Sequence, residues 1–156
     1  MLNQFELCSA PITAAAYEKC DSIVLFLCKE CAPAVPQLEL PAEAAKAVEA
    51  YLAAHDDIYD VGMLTSFVLP TEGGLLQLLI AGCGEGSDCK PNNFRKAAGE
   101  AARALHKAKA KQAVCAAPIL LNPQRGFYAQ AIAEGLFLGG YTFNRFKSEA
   151  KEAPLC

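Results

Sequence analysis

One stretch decides the fold: Ser22-Ile23-Val24-Leu25-Phe26-Leu27-Cys28. It is an almost unbroken apolar run of strand length, rich in residue types that favour β-structure. A strand with one wet face alternates between apolar and polar side chains, so a continuous run predicts a strand that is covered on both faces. Charged residues follow it at once, and Pro33, Pro36 and Pro41 then predict a loop.

Downstream of this strand, helical and strand-like patterns alternate. Pro41 starts a helical pattern that continues to His55, since proline suits the first turn of a helix. The apolar runs 63–69 and 75–81 flank a turn over 70–74 that contains glycine. Two such runs around a short glycine-containing turn predict a hairpin.

The second half of the chain contains two more helical patterns and one short strand. A helix is predicted from about Pro91, with an apolar stripe opposite a charged face. A strand is predicted over 113–121, and an apolar, buried helix over 128–138 that Gly139-Gly140 terminates. With a weaker first strand over 5–8, this order predicts an α/β fold, a three-layer α/β/α sandwich around a mixed, mainly parallel sheet.

The composition is that of a globular domain. Of the 156 residues, 53% are hydrophobic and 20% are charged. The formal net charge of −3 argues against nucleic acid as a partner, because nucleic-acid binders usually carry a basic excess. The apolar runs are too short to cross a bilayer, and the first residues do not resemble a signal peptide. We therefore expect a cytoplasmic protein with no membrane partner.

Eight cysteines occupy positions 8, 20, 28, 31, 83, 89, 115 and 156. An even number of cysteines in a secreted chain would suggest disulfides, but no export signal is visible. Buried free thiols pack like small hydrophobes. The cysteines are therefore predicted to be reduced and mostly structural.

The pair Cys28 and Cys31 forms a C-x-x-C motif. A zinc site built on it needs a second ligand pair, and Cys83 and Cys89 have a poor spacing for one. The histidines His55 and His106 fall in separate predicted helices. A redox motif should open a helix, where the dipole lowers a thiol pKa, and the prolines that follow disfavour one. Neither a metal nor a redox function is predicted, although the sequence leaves a redox role open.

A second motif is the loop Gly82-Cys83-Gly84-Glu85-Gly86, which lies between a predicted strand and a predicted helix. A phosphate can sit on such a loop, but the dinucleotide-binding spacing and a Gly-Lys-Ser/Thr sequence are absent. Glu85 and Asp88 add negative charge where an anion would bind. A turn that needs glycine is the favoured interpretation.

Two stretches resemble the N-terminal domain of the leucyl (cytosol) aminopeptidase family. The first is Leu78-Leu79-Ile80-Ala81-Gly82-Cys83-Gly84, followed by Phe94-Arg95-Lys96-Ala97-Ala98-Gly99. It is similar to the family's strand, "GLG"-type turn and "LRKAAG" helix start. The second and more specific stretch runs from Ala133 to Ser148 and is similar to "AEGLLLGxYxFxxYKS". Cys83 and Phe146 depart from the family's usual leucine and tyrosine.

The resemblance implies a macro-domain-like fold over residues 1–146, with 147–156 as the start of a linker to an absent C-terminal catalytic domain. In the family, that domain binds two divalent metals (Zn or Mn), and the complete enzyme is a hexamer that removes N-terminal residues from peptides. The implied partners of this chain are its own catalytic domain and further copies in the hexamer.

Nothing in the chain is similar to the family's catalytic signature, "NTDAEGRL". No catalytic, cofactor-binding or metal-binding residue is therefore predicted, and the chain alone is expected to be inactive, with a role in assembly or in access to the active site. The alternative is a free-standing macro-like module that binds a small anionic or nucleotide ligand.

Overall fold

A computed structural model describes residues 17–86, 89–121 and 125–140. The predicted strand over 5–8 and the predicted boundary between 146 and 147 lie outside these residues. Within them, the chain forms four strands, three α-helices and three 3-10 segments. None of the helices in this described part is both long enough and apolar enough to span a membrane.

The four strands form one mixed sheet. They are β1 (Ser22–Leu27), β2 (Leu64–Thr71), β3 (Gly74–Gly82) and β4 (Ala113–Ala116). Their order is β2-β3-β1-β4, with β1 parallel to both β3 and β4 and with β2 antiparallel to β3. The predicted mixed, mainly parallel sheet is confirmed, and so is the hairpin.

Helices cover both faces of this sheet. On one face, α1 (Ala42–Ala54) packs together with a 3-10 segment, Lys29–Leu38. On the other face lie α2 (Pro91–Lys107) and α3 (Arg125–Gly140). All six residues of β1 are buried, because alternate side chains point into the two apolar cores. The predicted strand with both faces covered is confirmed, whereas the macro-like label stays a prediction.

The segment after β1 differs from the predicted loop. Lys29–Leu38 is a 3-10 helix that contains Pro33 and Pro36. The fixed φ of proline, about −65°, lies within the range of 3-10 helices, so both prolines fit where they would break an α-helix. Val35 and Leu38 are buried against the sheet, and the hydroxyl of Tyr17 donates a hydrogen bond to the carbonyl of Leu38 at 2.8 Å.

Two strand boundaries also differ from the predicted ones. The strand predicted over 113–121 ends at Ala116, and Pro118–Leu121 is a 3-10 segment. Proline has no N–H for a strand ladder, which explains the early end. In the hairpin, β2 continues through Pro70 to Thr71, and the turn between Thr71 and Gly74 has only two residues. Pro70 is tolerated because β2 is an edge strand.

The last helix extends beyond its predicted end. It runs from Arg125 to Gly140, so Gly139 lies within α3 and does not terminate it. A Cβ atom on Gly139 would lie 2.4 Å from the carbonyl oxygen of Gly99 in α2. A Cβ on Gly135 would lie 2.1 Å from the carbonyl oxygen of Arg95. These glycines allow the backbones of the two helices to come into contact.

Candidate functional site

The carboxyl ends of β1 and β3 form the edge of the sheet at which several cysteine side chains lie. The two strands are parallel neighbours and end at Leu27 and Gly82, which face each other in the register. In open α/β sheets, ligand sites usually form at this edge. The loops that leave these strands carry two cysteines each, Cys28 and Cys31 on one and Cys83 and Cys89 on the other.

Three of these cysteines, Cys28, Cys31 and Cys89, form one thiol cluster. The Cys28 thiol is within hydrogen-bonding reach of the thiols of Cys31 and Cys89. One carboxylate oxygen of Glu30 completes a tighter group, because this atom and the sulfur atoms of Cys28 and Cys89 all lie within 4.8 Å of one another. All four cysteines are free thiols. The loop after β3 therefore places a third cysteine, Cys89, next to the C-x-x-C motif of Cys28 and Cys31.

Backbone hydrogen bonds hold the two loops together. The Cys83 N–H donates to the carbonyl of Leu27 at 2.8 Å and continues the pairing of β1 with β3. The Lys29 N–H donates to the carbonyl of Gly84 at 3.2 Å, and the Gly86 N–H donates to the Glu30 carboxylate. An ion pair between Lys29 and Glu85, at 3.1 Å, lies on the solvent side. The position of the thiols is thus set by both loops.

Helix α3 supports the cluster from the other side. The Tyr128 hydroxyl donates a hydrogen bond to the carbonyl of Cys89 at 3.1 Å. The Tyr128 ring packs edge-on against Phe94 of α2, with 5.1 Å between the ring centroids. Because Phe94 is fully buried, this chain of contacts anchors the loop around Cys89 to the core.

The glycine loop behaves as a turn. Gly84 and Gly86 have φ values of 104° and 58°, which strongly favour glycine. The N–H groups of Cys83, Gly84 and Gly86 already donate to protein acceptors, with 2.7 Å from Gly84 to the carbonyl of Tyr59. An anion site needs such N–H groups free, and Glu85 adds negative charge beside them. The geometry therefore favours the turn over a phosphate cradle.

Burial controls the protonation of the thiols. It raises the pKa of Cys28 to about 11, where Cys89 adds to the increase and Cys31 opposes it. It raises the pKa of Cys31 to about 12, where Cys28 adds to the increase. Burial also raises the pKa of Cys83 and Cys89. A reactive dithiol needs a lowered pKa, so these thiols are neutral at pH 7. The expectation that no helical segment follows the motif is wrong, because Cys28 is the N-cap of the 3-10 segment. The raised pKa values nevertheless argue against a redox nucleophile.

The histidines considered from the sequence lie elsewhere. His55 follows the end of α1 and its ring packs on Tyr51 at 4.6 Å between centroids. His106 lies in the last turn of α2. Among the described residues, the only group of three or more His, Cys, Asp or Glu side chains with ligand atoms this close is Cys28, Glu30 and Cys89.

Spacing along the chain could not identify Cys89 as part of this group. The sequence-based expectation pairs Cys83 with Cys89 and rejects the pair for its spacing, whereas the structure places Cys89, and not Cys83, close to Cys28 and Glu30. The available signal was the placement of the motif and of Cys89 after two strands that are parallel neighbours. Only the strand order shows that these strands are adjacent.

A shallow cavity of about 250 Å³ lies between the hairpin and α2. Its polar lining comes from α2, namely Lys96, Glu100 and Arg103, and the last two form an ion pair with each other. Gly82 lines its floor, where a Cβ atom would lie 2.3 Å from the carbonyl oxygen of Asp60. The cavity brings together no nucleophile and base, so it offers no catalytic arrangement.

The fold and this site define an α/β domain that carries a thiol cluster and no recognisable catalytic set among its described residues. Residues 23–150 match the model of a family described as "Cytosol aminopeptidase family, N-terminal domain". The chain belongs to this family, as the resemblance of the two sequence stretches implied.

One curated relative is a "Probable cytosol aminopeptidase" from Streptomyces coelicolor, 38% identical over 91 residues. The match covers 54% of this chain but only 16% of that protein. The chain therefore corresponds to a small part of its relative's length.

Solved structures with the same fold include a tomato leucine aminopeptidase mutant (TM-score 0.58, 21% identity). That match covers 92% of this chain and 30% of the tomato chain. The bottromycin maturation enzyme BotP matches with a TM-score of 0.54 and 20% identity, over 87% of this chain and 26% of the BotP chain. At these identities the matches show the fold alone.

Proposed function

We propose that this chain is the non-catalytic N-terminal domain of a metal-dependent leucyl aminopeptidase, an enzyme that removes N-terminal amino acids from peptides. The observation that carries the proposal is the family match over residues 23–150. In this proposal the two divalent metals, Zn or Mn, belong to a C-terminal catalytic domain, and this chain contributes to assembly or to active-site access. The complete enzyme is a cytoplasmic hexamer.

The side chains of the described residues support a non-catalytic role. Their one close group of ligand-type side chains has two thiols and a single carboxylate, whereas the family's catalytic signature supplies several carboxylates. The thiols are neutral at pH 7 because burial raises their pKa. Neither a two-metal hydrolytic centre nor an activated nucleophile can be built from them.

The surface of α3 supports a docking role. Phe137 and Leu138, which are neighbours in α3, are 54% and 65% exposed. Large apolar side chains that are exposed together mark surfaces for other protein parts. Both residues lie in the last turn of α3, ahead of the proposed linker at 147–156. We infer that this end of α3 packs against the catalytic domain.

An activity assay tests the first half of the proposal. The purified 156-residue chain, supplied with Mn²⁺ or Zn²⁺, is expected to release no leucine from a leucyl amide. The control is a complete family member assayed under the same conditions. Turnover that co-purifies with the chain through several columns would exclude a non-catalytic domain.

A binding assay tests the second half. The chain is titrated with the separately produced catalytic part of a cytosol aminopeptidase, and affinity is measured by calorimetry. The double variant Phe137→Ser/Leu138→Ser is expected to weaken binding by about 100-fold, since apolar anchors of an interface are worth about 2 kcal/mol or more. The matched control is Val68→Ser/Leu75→Ser, which removes equally exposed apolar residues from the hairpin. Loss of binding in the control alone would place the interface at the hairpin and contradict the proposal.

A further inference from the structure

The thiol cluster has the donor types of a soft-metal site. Thiolates favour Zn²⁺ and Cu⁺ over hard cations such as Mg²⁺ and Ca²⁺. Cys28 and Cys31 have the spacing common among zinc ligands, and a carboxylate is an accepted ligand as well. The set therefore offers three sulfur donors and one oxygen donor from residues 28–31 and 89.

The geometry is close to what a tetrahedral ion requires. With Zn–S bonds of about 2.3 Å, two sulfurs on one tetrahedral zinc are ~3.8 Å apart. The ligand atoms of Cys28, Glu30 and Cys89 already lie within 4.8 Å of one another without an ion. Cys31 lies outside this group but contacts the Cys28 thiol, so it is the nearest candidate for a fourth donor.

The surroundings hold the donors in place and leave an entry path. The Gly86 N–H binds the Glu30 carboxylate, and the Tyr128 hydroxyl binds the backbone of Cys89. Such outer contacts orient metal ligands. Cys28 is buried, Cys31 and Cys89 are half-buried, and Glu30 is exposed, so the site is dry on the core side and open toward solvent at the carboxylate.

We propose that Cys28, Cys31, Cys89 and Glu30 bind one thiophilic cation of the Zn²⁺ class, which ties the end of β1 to the loop between β3 and α2. This goes beyond the proposed function and revises the expectation that the chain holds no metal ligand. The ion is structural, because four protein donors close its coordination and leave no position for a substrate. It cross-links residues 28–31 to residue 89, which are far apart in sequence.

The test starts with zinc itself. The 156-residue chain is reduced, freed of metal and titrated with Zn²⁺ against a chromophoric chelator. We expect one zinc per chain and, at a zinc concentration near 100 times Kd, a rise in Tm of roughly 5–10 °C. Replacement by Co²⁺ should produce thiolate-to-cobalt charge-transfer absorption, which an ion on surface carboxylates does not show.

Variants assign the ligands. Cys89→Ser should weaken zinc binding by more than about 100-fold, and Glu30→Gln by about 10-fold or more, since even outer contacts of a metal site are worth 10–100-fold. The matched control is Cys20→Ser, a cysteine just before β1 at the opposite end of that strand, which should bind zinc like the unchanged chain. Cys28 is fully buried, so Cys28→Ser is used only if its circular dichroism matches that of the unchanged chain.

Several results would overturn the proposal. The proposal is wrong if the reduced chain takes up no zinc, if the cobalt form lacks the charge-transfer band, or if Cys89→Ser binds zinc unchanged. A Cys28–Cys31 disulfide that forms in air despite excess zinc also overturns it, because a bound cation protects its thiolates. None of these readouts depends on aminopeptidase activity, so they leave the proposed function untouched.

Discussion

Helices α2 and α3 cover the same face of the sheet, yet their outer surfaces differ. The side of α2 that faces the core is apolar, with Phe94, Ala98 and Ala101 fully buried, while its outer side carries charged residues such as Lys96 and Arg103. On α3, the inner side buries Ala131 and Ile132, and the outer side still exposes large apolar residues. The outer side of α2 is thus suited to water, and that of α3 is suited to another protein surface.

The contact between α2 and α3 depends on two glycines of α3. Gly135 and Gly139 lie four residues apart on α3 and meet the backbone of α2 at Arg95 and Gly99. Glycine costs helix stability, about 0.5–1 kcal/mol relative to alanine in a helix interior. Its presence at these two positions reflects the close approach of the helices.

The largest expected effect follows from this approach. Gly135→Ala places a Cβ 2.1 Å from the backbone carbonyl oxygen of Arg95, and a backbone atom cannot rotate away. We expect the free energy of unfolding to fall by at least about 3 kcal/mol, as measured by urea denaturation. The control is Gly126→Ala in the same helix, where no atom lies within 4 Å of the new Cβ. Helix propensity alone would make both variants slightly more stable, so a Gly135→Ala chain that is as stable as the Gly126→Ala chain would contradict the contact with α2.

A second prediction separates the two sides of α3. Ile132 is 4% exposed and Leu138 is 65% exposed. Ile132→Ala should lower the free energy of unfolding of the chain by about 2–3 kcal/mol, because it leaves a cavity in the core. Leu138→Ala should change it by less than about 0.5 kcal/mol. A large loss for Leu138→Ala would show that this residue packs within its own domain and is not a docking residue.

The smallest expected effect concerns the polar contact between the helices. Glu134 accepts hydrogen bonds from Gln130 at 2.9 Å and from Arg95 at 2.8 Å, and these hold the pKa of its carboxyl below the ordinary value. A lowered pKa in the folded state adds stability above the pKa of the unfolded chain, and this stability is lost as pH falls through the folded value. In an NMR titration, Gln130→Ala and Arg95→Gln should each raise the pKa of Glu134. An unchanged pKa in both variants would contradict the assigned causes.

Elements with a strong local pattern could be predicted from the sequence. The apolar run of β1, the hairpin and the stripe of α2 were found because burial imposes a period on the sequence that matches the geometry of the element. From the sequence, a loop is predicted instead of the 3-10 segment over Lys29–Leu38, because weight is given only to proline as a helix breaker. The missing N–H and the ring clash of proline break a longer α-helix, whereas its φ suits a 3-10 segment. The end of α3 was misplaced because Gly139 serves a packing contact with α2 and not a C-cap.

Only one part of the candidate site, the C-x-x-C motif, could be predicted from the sequence. The C-x-x-C motif was found, but the contribution of Cys89 was not, since its approach to Cys28 depends on the pairing of β1 with β3 and on the turn through Gly84 and Gly86. No sequence pattern assigns Glu30 a role, because its carboxylate meets Cys89 only in the folded chain. A metal site assembled from two distant loops has no fixed spacing, so spacing arguments cannot reject it.

By itself, the sequence determined the α/β class, the buried central strand, the hairpin and the family, because periodicity and short motifs are properties of neighbouring residues. The tertiary structure alone decided the strand order, the contact of α2 with α3 at glycine, and the meeting of Cys28, Glu30 and Cys89. These features join residues far apart in the chain. They are stabilised by packing and by the pairing of parallel strands that are joined by long connections, and a local sequence pattern does not reveal either interaction.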